Sequence, residues 1–295
     1  MTMSFNEKRE SGILESVATG PDGPVRLRWY RPMSSQARVP APTLVWAHGG
    51  GFFAGGIDQP EAHDVARALS DRGITVVTVD YRLAPPPGLN WAFRGRTRSR
   101  ARFPLPMEDL LTALRHVGRQ TDGGLILGGA SAGACLAAST AFRAVGMDLD
   151  LRGAIFAYGF FHAVHPWAPE IQRRVRGHRR LTHSRWVLNA LNRNYAGSEV
   201  ALRDRLAFPG GHDLSGFPSS LMINADNDVM RASGDQFAAE LRGARVDVEH
   251  HILHGSCHAF LNQPRLDDFK SAIELMASWC LGRPTTPPTS QYLSS

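Results

Sequence analysis

Ser131 is the residue best placed to do chemistry. It stands in Gly129-Ala130-Ser131-Ala132-Gly133, behind the apolar run Leu125-Ile126-Leu127 and ahead of the small-residue stretch Ala134-Cys135-Leu136-Ala137-Ala138. A strand that breaks into a helix through such a turn lifts one hydroxyl clear of the sheet edge, where a base can reach it. The flanking glycines suit a strained turn and a close strand–helix approach. A neutral hydroxyl is a poor nucleophile, so it needs a general base and a group that orients that base. Candidates for both lie downstream.

Ser219 to Ala225 reads as a strand ending in Asp226-Asn227-Asp228-Val229-Met230-Arg231. Asp226 and Asp228 compete for the acid, and Asp226 also suits a plain turn, since Asp readily bonds its own backbone. A helical stretch follows from Ser233 to Arg242. Val246 to Leu253 then reads as a strand running into His254-Gly255-Ser256-Cys257-His258-Ala259-Phe260. Of the twelve histidines, His258 follows the last strand and precedes an aromatic residue, which makes it the candidate base. His250 and His251 lie inside the strand pattern, so one is expected to face solvent and the other the interior. His162, His165, His178, His183 and His212 are read mostly as surface or loop residues. No H-x-x-x-H or H-E-x-x-H spacing links them, so neither a metal nor a cofactor is expected.

An acyl-transfer site also needs donors for an oxyanion. Leu44 to Ala47 is strand-like, and His48-Gly49-Gly50-Gly51-Phe52 follows at once. Glycines let backbone N–H groups face a pocket with no Cβ in the way, and the Ala132 N–H can join them. Loss of one such donor costs about 2.7–4 kcal/mol of transition-state stabilisation.

The elements that must carry these loops follow an alternating rhythm. Val25 to Tyr30 alternates as an early strand. Strands are expected near 43–47, 74–79, up to Ser131 and over 151–157, with helices over about 106–119, from Ser131 to about 145, and near 182–195. Alternation of this kind predicts an α/β class chain with a mostly parallel, doubly wound sheet. All three candidate groups fall after strand ends, where such sheets bind ligands.

Together these segments resemble the hormone-sensitive-lipase-like group of α/β-hydrolase esterases. The matching text is His48 to Phe52, Asp80-Tyr81-Arg82-Leu83-Ala84-Pro85, Phe103-Pro104 with Glu108-Asp109, the serine turn, Asp228-Val229-Met230-Arg231 and Gly255 to Phe260, over roughly residues 41–280. The resemblance implies an α/β-hydrolase fold with a small helical cap, and a serine esterase with Ser131 as nucleophile, Asp228 as orienting acid and His258 as base. It implies the N–H groups of Gly50, Gly51 and Ala132 as oxyanion donors, and His48 as a brace for the glycine loop. Pro86 and Ala130 depart from the Glu and Asp that the family often carries. The organisation expected is one domain over 1–281, a cap insertion about 160–213, a basic insertion about 86–102, and a tail over 282–295. Aromatic residues of the cap region either glue it to the body or line an acyl or alcohol pocket. Hydrolysis of short-chain esters is the leading activity. Deacetylation, amide hydrolysis, acyl transfer and a receptor role on the same scaffold are the alternatives.

Composition narrows the classes. The chain has 295 residues, 43 % hydrophobic and 20 % charged, which are globular values for a single domain of this kind. No apolar run is long enough to span a bilayer. Residues 1–10 lack the apolar stretch of a signal peptide, so a cytoplasmic location is expected. Three cysteines, Cys135, Cys257 and Cys280, fit a reducing compartment, and the first two are read as buried small residues. The net charge of +6 concentrates in Arg94, Arg96, Arg98, Arg100 and Arg102, and in Arg173, Arg174, Arg176, Arg179 and Arg180. No nucleic-acid motif accompanies it, so these read as solvated arginines in loops, Trp91 and Phe93 lying near the pocket. The functional alternative is attraction of ester substrates bearing carboxylate or phosphate. The expected partner is a small-molecule ester, not nucleic acid or membrane, with a homodimer left open.

Overall fold

The computed structural model describes residues 12–33, 41–88, 100–177 and 179–282. Its strands are β1 (Ile13–Gly20), β2 (Gly23–Tyr30), β3 (Thr43–Ala47), β4 (Val76–Asp80), β5 (Leu125–Ala130), β6 (Leu151–Ala157), β7 (Ser220–Asn227) and β8 (Val248–Cys257). They form one eight-stranded sheet in the order β1-β2-β4-β3-β5-β6-β7-β8. β1, β2 and β4 pair antiparallel, and every later pair is parallel. The doubly wound expectation is met, with an antiparallel hairpin added at one edge.

The helices are α1 (Pro60–Ser70), α2 (Leu105–Gly118), α3 (Ala132–Ala144), α4 (Pro169–Gln172), α5 (Arg179–Thr182), α6 (Arg185–Ala196), α7 (Glu199–Leu202), α8 (Arg231–Gly243) and α9 (Asp267–Cys280). Strand side chains alternate between faces. Val45, Val77, Leu127, Phe156 and Met222 therefore pack with Leu110 and Leu114 of α2, Leu136 of α3 and Phe237 of α8. Leu44, Trp46, Ile126, Ile155 and Leu221 pack on the other face with Val65 and Leu69 of α1 and Ile273 and Met276 of α9. A strand covered on both faces reads as a continuous apolar run, and Thr43–Ala47 is buried at every residue. Each large side chain of these layers contributes about 1.5–3 kcal/mol by leaving water.

Four helices, α4 to α7, lie between β6 and β7. The helix expected near 182–195 begins at Arg185, because Ser184 (φ −62°, ψ 150°) is already extended, and Gly197 ends it in the left-handed region (φ 78°). His250 and His251 are both half-buried rather than one in and one out. Their strand, β8, is the sheet edge. There His250 sits 3.0 Å from Asn224 Nδ2 and His251 bonds Glu249 at 2.6 Å.

Candidate active site

β5 ends at Ala130 and α3 begins at Ala132, so Ser131 alone makes the turn, at φ 52° and ψ −119°. For a non-glycine residue this is a strained conformation. It is over-determined by packing. The Ser131 N–H donates to Ala157 O at 2.9 Å. A Cβ on Gly133 would stand 2.2 Å from Ala47 O and 2.4 Å from His48 O, and one on Gly129 would stand 2.4 Å from Gly133 O. The two glycines are what lets α3 start against the end of β3.

Two other strand ends meet this turn. Asp228 follows β7 and His258 follows β8. Ser131 Oγ lies 3.0 Å from His258 Nε2, and His258 Nδ1 lies 2.6 Å from Asp228 Oδ2. The Nδ1–H donates to the carboxylate, which leaves the Nε2 lone pair for the serine hydroxyl. All three are nearly enclosed, at 6 %, 1 % and 6 % exposure in chain order Ser131, Asp228, His258. Burial pushes the Asp228 carboxyl up. The charge and hydrogen bond of His258, the Met230 N–H and the charge of His183 outweigh it, so the carboxyl titrates below its usual range. Asp226 is drawn elsewhere. Its Oδ1 accepts from Arg174 at 2.9 Å and Arg231 at 2.8 Å, and its Oδ2 from the Gly255 N–H at 3.2 Å. The register irregularity between Ala225 and Asn227 separates the two aspartates.

Of the expected oxyanion residues, Gly50 and Gly51 lie in the loop after β3 and Ala132 opens α3 directly after Ser131. Gly50 has φ 119°, and a Cβ there would meet Ala54 O at 2.1 Å. Among the described residues the N–H groups of Gly50, Gly51 and Ala132 bond no protein acceptor. The Ala132 N–H is one of the donors that every helix start leaves open. His48 braces the loop. Its ring stacks on Tyr81 with centroids 4.4 Å apart, its Nδ1–H donates to Gly49 O at 2.7 Å, and Tyr81 OH donates to His48 O at 2.7 Å. Glu61, which the motifs do not single out, accepts the Gly49 N–H at 2.5 Å. Its only sequence signal is a proline–acid pair opening a helix, Pro60-Glu61.

Two histidines between β6 and β7 correct the reading of the group as mostly surface or loop residues, whereas His212 is exposed as expected and His178 lies outside the described residues. His162 and His165 are buried. His162 bridges Ser233 Oγ at 2.7 Å and Glu240 at 3.1 Å, and His165 Nε2 donates to Val229 O at 2.9 Å, beside Asp228. His183 sets its ring 5.0 Å from that of His258. Cys135 is buried as expected, but Cys257 is exposed, because His258 next to it turns inward. Arg100 and Arg102 also depart from solvated loop residues. Arg100 donates to Phe53 O and Ala84 O at 2.7 and 2.9 Å, and Arg102 to Asn194 O at 2.8 Å. Arg94, Arg96, Arg98, Trp91 and Phe93 lie outside the described residues.

Arg173, Arg174, Arg176 and Arg179 line a cleft of about 550 Å³ with Val175, Asn227 and Cys257. Among the described residues only Arg174 of these four pairs with a carboxylate, Asp226. A second cleft, of about 650 Å³, lies under the amino-terminal edge of β5, beside Asp148 and Asp150, away from Ser131. No group of three or more His, Cys, Asp or Glu is arranged to hold a metal among the described residues. No described helix is long and apolar enough to cross a membrane.

Comparison with known proteins agrees with the motif resemblance. An esterase of Mycobacterium tuberculosis, LipI, is 28 % identical over 261 residues, covering 85 % of this chain and 76 % of the relative. An acetyl esterase of Salmonella paratyphi B is 26 % identical, over 92 % of this chain and 80 % of that one. A solved esterase of Pyrobaculum calidifontis superposes with a TM-score of 0.77 at 28 % identity, covering 92 % of this chain and 84 % of that one. The family model for the alpha/beta hydrolase fold matches residues 44–262, and the chain belongs to that family.

Proposed function

We propose that Ser131, His258 and Asp228 carry the carboxylic ester hydrolysis this chain performs, through an acyl-enzyme on Ser131. The observation that supports it is the unbroken hydrogen-bonded chain from hydroxyl to imidazole to carboxylate, at 3.0 and 2.6 Å. His258 Nε2 takes the Ser131 proton as Oγ bonds to the ester carbonyl carbon. Asp228 holds the ring and stabilises the imidazolium. The oxyanion meets the N–H groups of Gly50, Gly51 and Ala132, preorganised in a dry site. The acyl–alcohol C–O bond breaks as His258 returns its proton to the leaving oxygen. Water then attacks the acyl carbon, gives its proton to His258, and Ser131 leaves with that proton.

Small esters with short acyl chains are the substrates of this reading. Phe52 follows the oxyanion loop and stacks on Tyr195 at 4.0 Å, with Phe160 and Phe208 at 5.5 and 6.4 Å. These rings are fully buried. They act as glue between the β6–β7 excursion, the cap of this proposal, and the body. The arginine cleft borders Asn227 and Cys257, next to the acid and base, and favours esters carrying an anionic group. Free cysteines throughout the described residues support a cytoplasmic setting.

A series of p-nitrophenyl esters from acetate to decanoate, run beside Ser131→Ala, tests the assignment. Turnover should be fastest with the shortest acyl chains and be abolished by the substitution. Full turnover in Ser131→Ala removes Ser131 from the reaction.

A further inference from the structure

The mechanism above leaves one carboxyl of the site unused. Glu61, in the first turn of α1, is 2 % exposed. Its Oε1 accepts from the Gly49 N–H at 2.5 Å and Gln59 Nε2 at 3.0 Å, and its Oε2 from Tyr158 OH at 2.6 Å and Asn262 Nδ2 at 3.3 Å. Donors from four segments thus converge on one side chain. α1 is itself tied to β3, since the Trp46 indole N–H donates to Glu61 O at 2.9 Å.

The position is central to the site. A Cβ on Gly49 would lie 2.5 Å from Glu61 Oε1, 3.0 Å from Ser131 Cβ and 3.1 Å from Ala130 O, so carboxyl, nucleophile and oxyanion loop ring one point. Tyr158, bonded to Glu61, turns its ring to His258 at 5.0 Å and to Phe260 at 4.7 Å. Burial pushes the Glu61 carboxyl up, while the bonds from Tyr158 and Gly49 and the charge of His258 act in the opposite direction.

Peptide planarity couples the two ends of each linkage in the glycine loop. Each trans peptide points its C=O and N–H in opposite directions, so fixing one end aims the other. In the plane between His48 and Gly49, Tyr81 OH holds the carbonyl and Glu61 holds the N–H. In the next plane, His48 Nδ1–H holds the Gly49 carbonyl, and the Gly50 N–H is left facing away from it. Without Glu61, the first plane is held at one end only and the second inherits the looseness.

We propose that Glu61 is a positioning residue for the hydrolysis assigned above, on which this proposal rests. By holding the Gly49 N–H, it sets the peptide plane from which Gly50 offers its N–H to the oxyanion.

The test measures kcat, KM and thermal midpoint with p-nitrophenyl acetate for the full chain carrying Glu61→Ala, Glu61→Gln or Glu61→Asp, beside Ser131→Ala. A misaimed oxyanion donor costs about 10²-fold in rate. Glu61→Ala should therefore lose about 10²-fold in kcat, with KM held within about threefold. Gln reaches as far as Glu and can keep an acceptor on Gly49, so Glu61→Gln should stay within about fivefold of the parent kcat. Asp keeps the charge and falls one methylene short, so Glu61→Asp should lose at least about 10-fold in kcat. Parent kcat in folded Glu61→Ala overturns the proposal. If Glu61→Ala does not fold, the Gln–Asp pair decides, and an active Asp variant beside an inactive Gln variant overturns it, because charge rather than reach would then be at work. Full turnover in Ser131→Ala is a separate outcome, which removes the catalytic assignment itself.

Discussion

The two walls of the site are built differently. On one, the ends of β3 and β5 with the start of α3 are held by packing that admits no side chain at Gly129 or Gly133, and its polar groups bond inward to His48, Tyr81 and Glu61. On the other, the excursion between β6 and β7 exposes Trp167 at 60 % and Trp186 at 73 %. Of the four arginines that line its cleft, Arg173, Arg174, Arg176 and Arg179, Arg174 alone meets a carboxylate among the described residues. The difference teaches how labour is divided. Transition-state stabilisation needs donors fixed before the substrate arrives. In the function proposed above, selection among substrates falls to a surface whose side chains still have bonds to make.

That contrast can be broken by substitution, and the largest effects should fall on the fixed wall and its triad. Ser131→Ala or Asp228→Asn should lower kcat by about 10⁴-fold with a folded protein, measured on p-nitrophenyl acetate. Gly133→Ala drives a Cβ to 2.2 Å from the Ala47 carbonyl. It should destabilise by about 1–3 kcal/mol or more, read as a lowered denaturant midpoint. A Gly133→Ala protein as stable as the parent would show that this wall can give.

The opposite wall should respond in KM instead. Replacing Arg173, Arg176 and Arg179 together by Ala should raise KM about 10-fold for an ester with a free carboxylate, at roughly 0.2–1 kcal/mol per exposed charge. The same change should leave kcat for a neutral ester unaltered. The difference between the two esters should shrink as salt is raised. Equal KM changes for both would assign the cleft no part in charge selection.

The smallest effect concerns how the excursion is anchored. Burial pushes the Glu240 carboxyl up, but hydrogen bonds from His162, Gln236 and the Gly211 N–H outweigh it and bring it down to about 2. A carboxyl lowered from an ordinary value near 4.5 stabilises the fold above that pH and loses this contribution as pH falls toward 2. Glu240→Gln should therefore lower the thermal midpoint by a few degrees at neutral pH and flatten its decline between about pH 4.5 and 2. An unchanged decline would mean the anchor lies elsewhere.

The fixed wall is also the part that can be read before folding. Small residues around Ser131, three consecutive glycines after a strand, and an acid and a histidine each following a later strand are local signals, because each answers a local steric need. Glu61 escapes this reading: its partners Tyr158 and Asn262 are far away in sequence, and convergence of that kind exists only once the sheet has formed. Residue type alone leaves Asp226 and Asp228 open; the motif resemblance points to Asp228, and it is Asp228 whose carboxylate lies 2.6 Å from His258. The histidines of the excursion look alike in sequence. His165 holds the Val229 carbonyl and His183 faces His258 because α8 and the acid loop happen to pack beneath them. β1 and the short helices α4, α5 and α7 carry too little apolar periodicity to stand out.

The most direct test is to map where a fluorophosphonate probe attaches, by digesting the labelled protein and sequencing the modified peptide. Modification should fall on Ser131 alone, and His258→Ala should slow it by orders of magnitude while the fold survives. Rapid labelling of Ser131 in His258→Ala, or a label on another residue, would contradict the account.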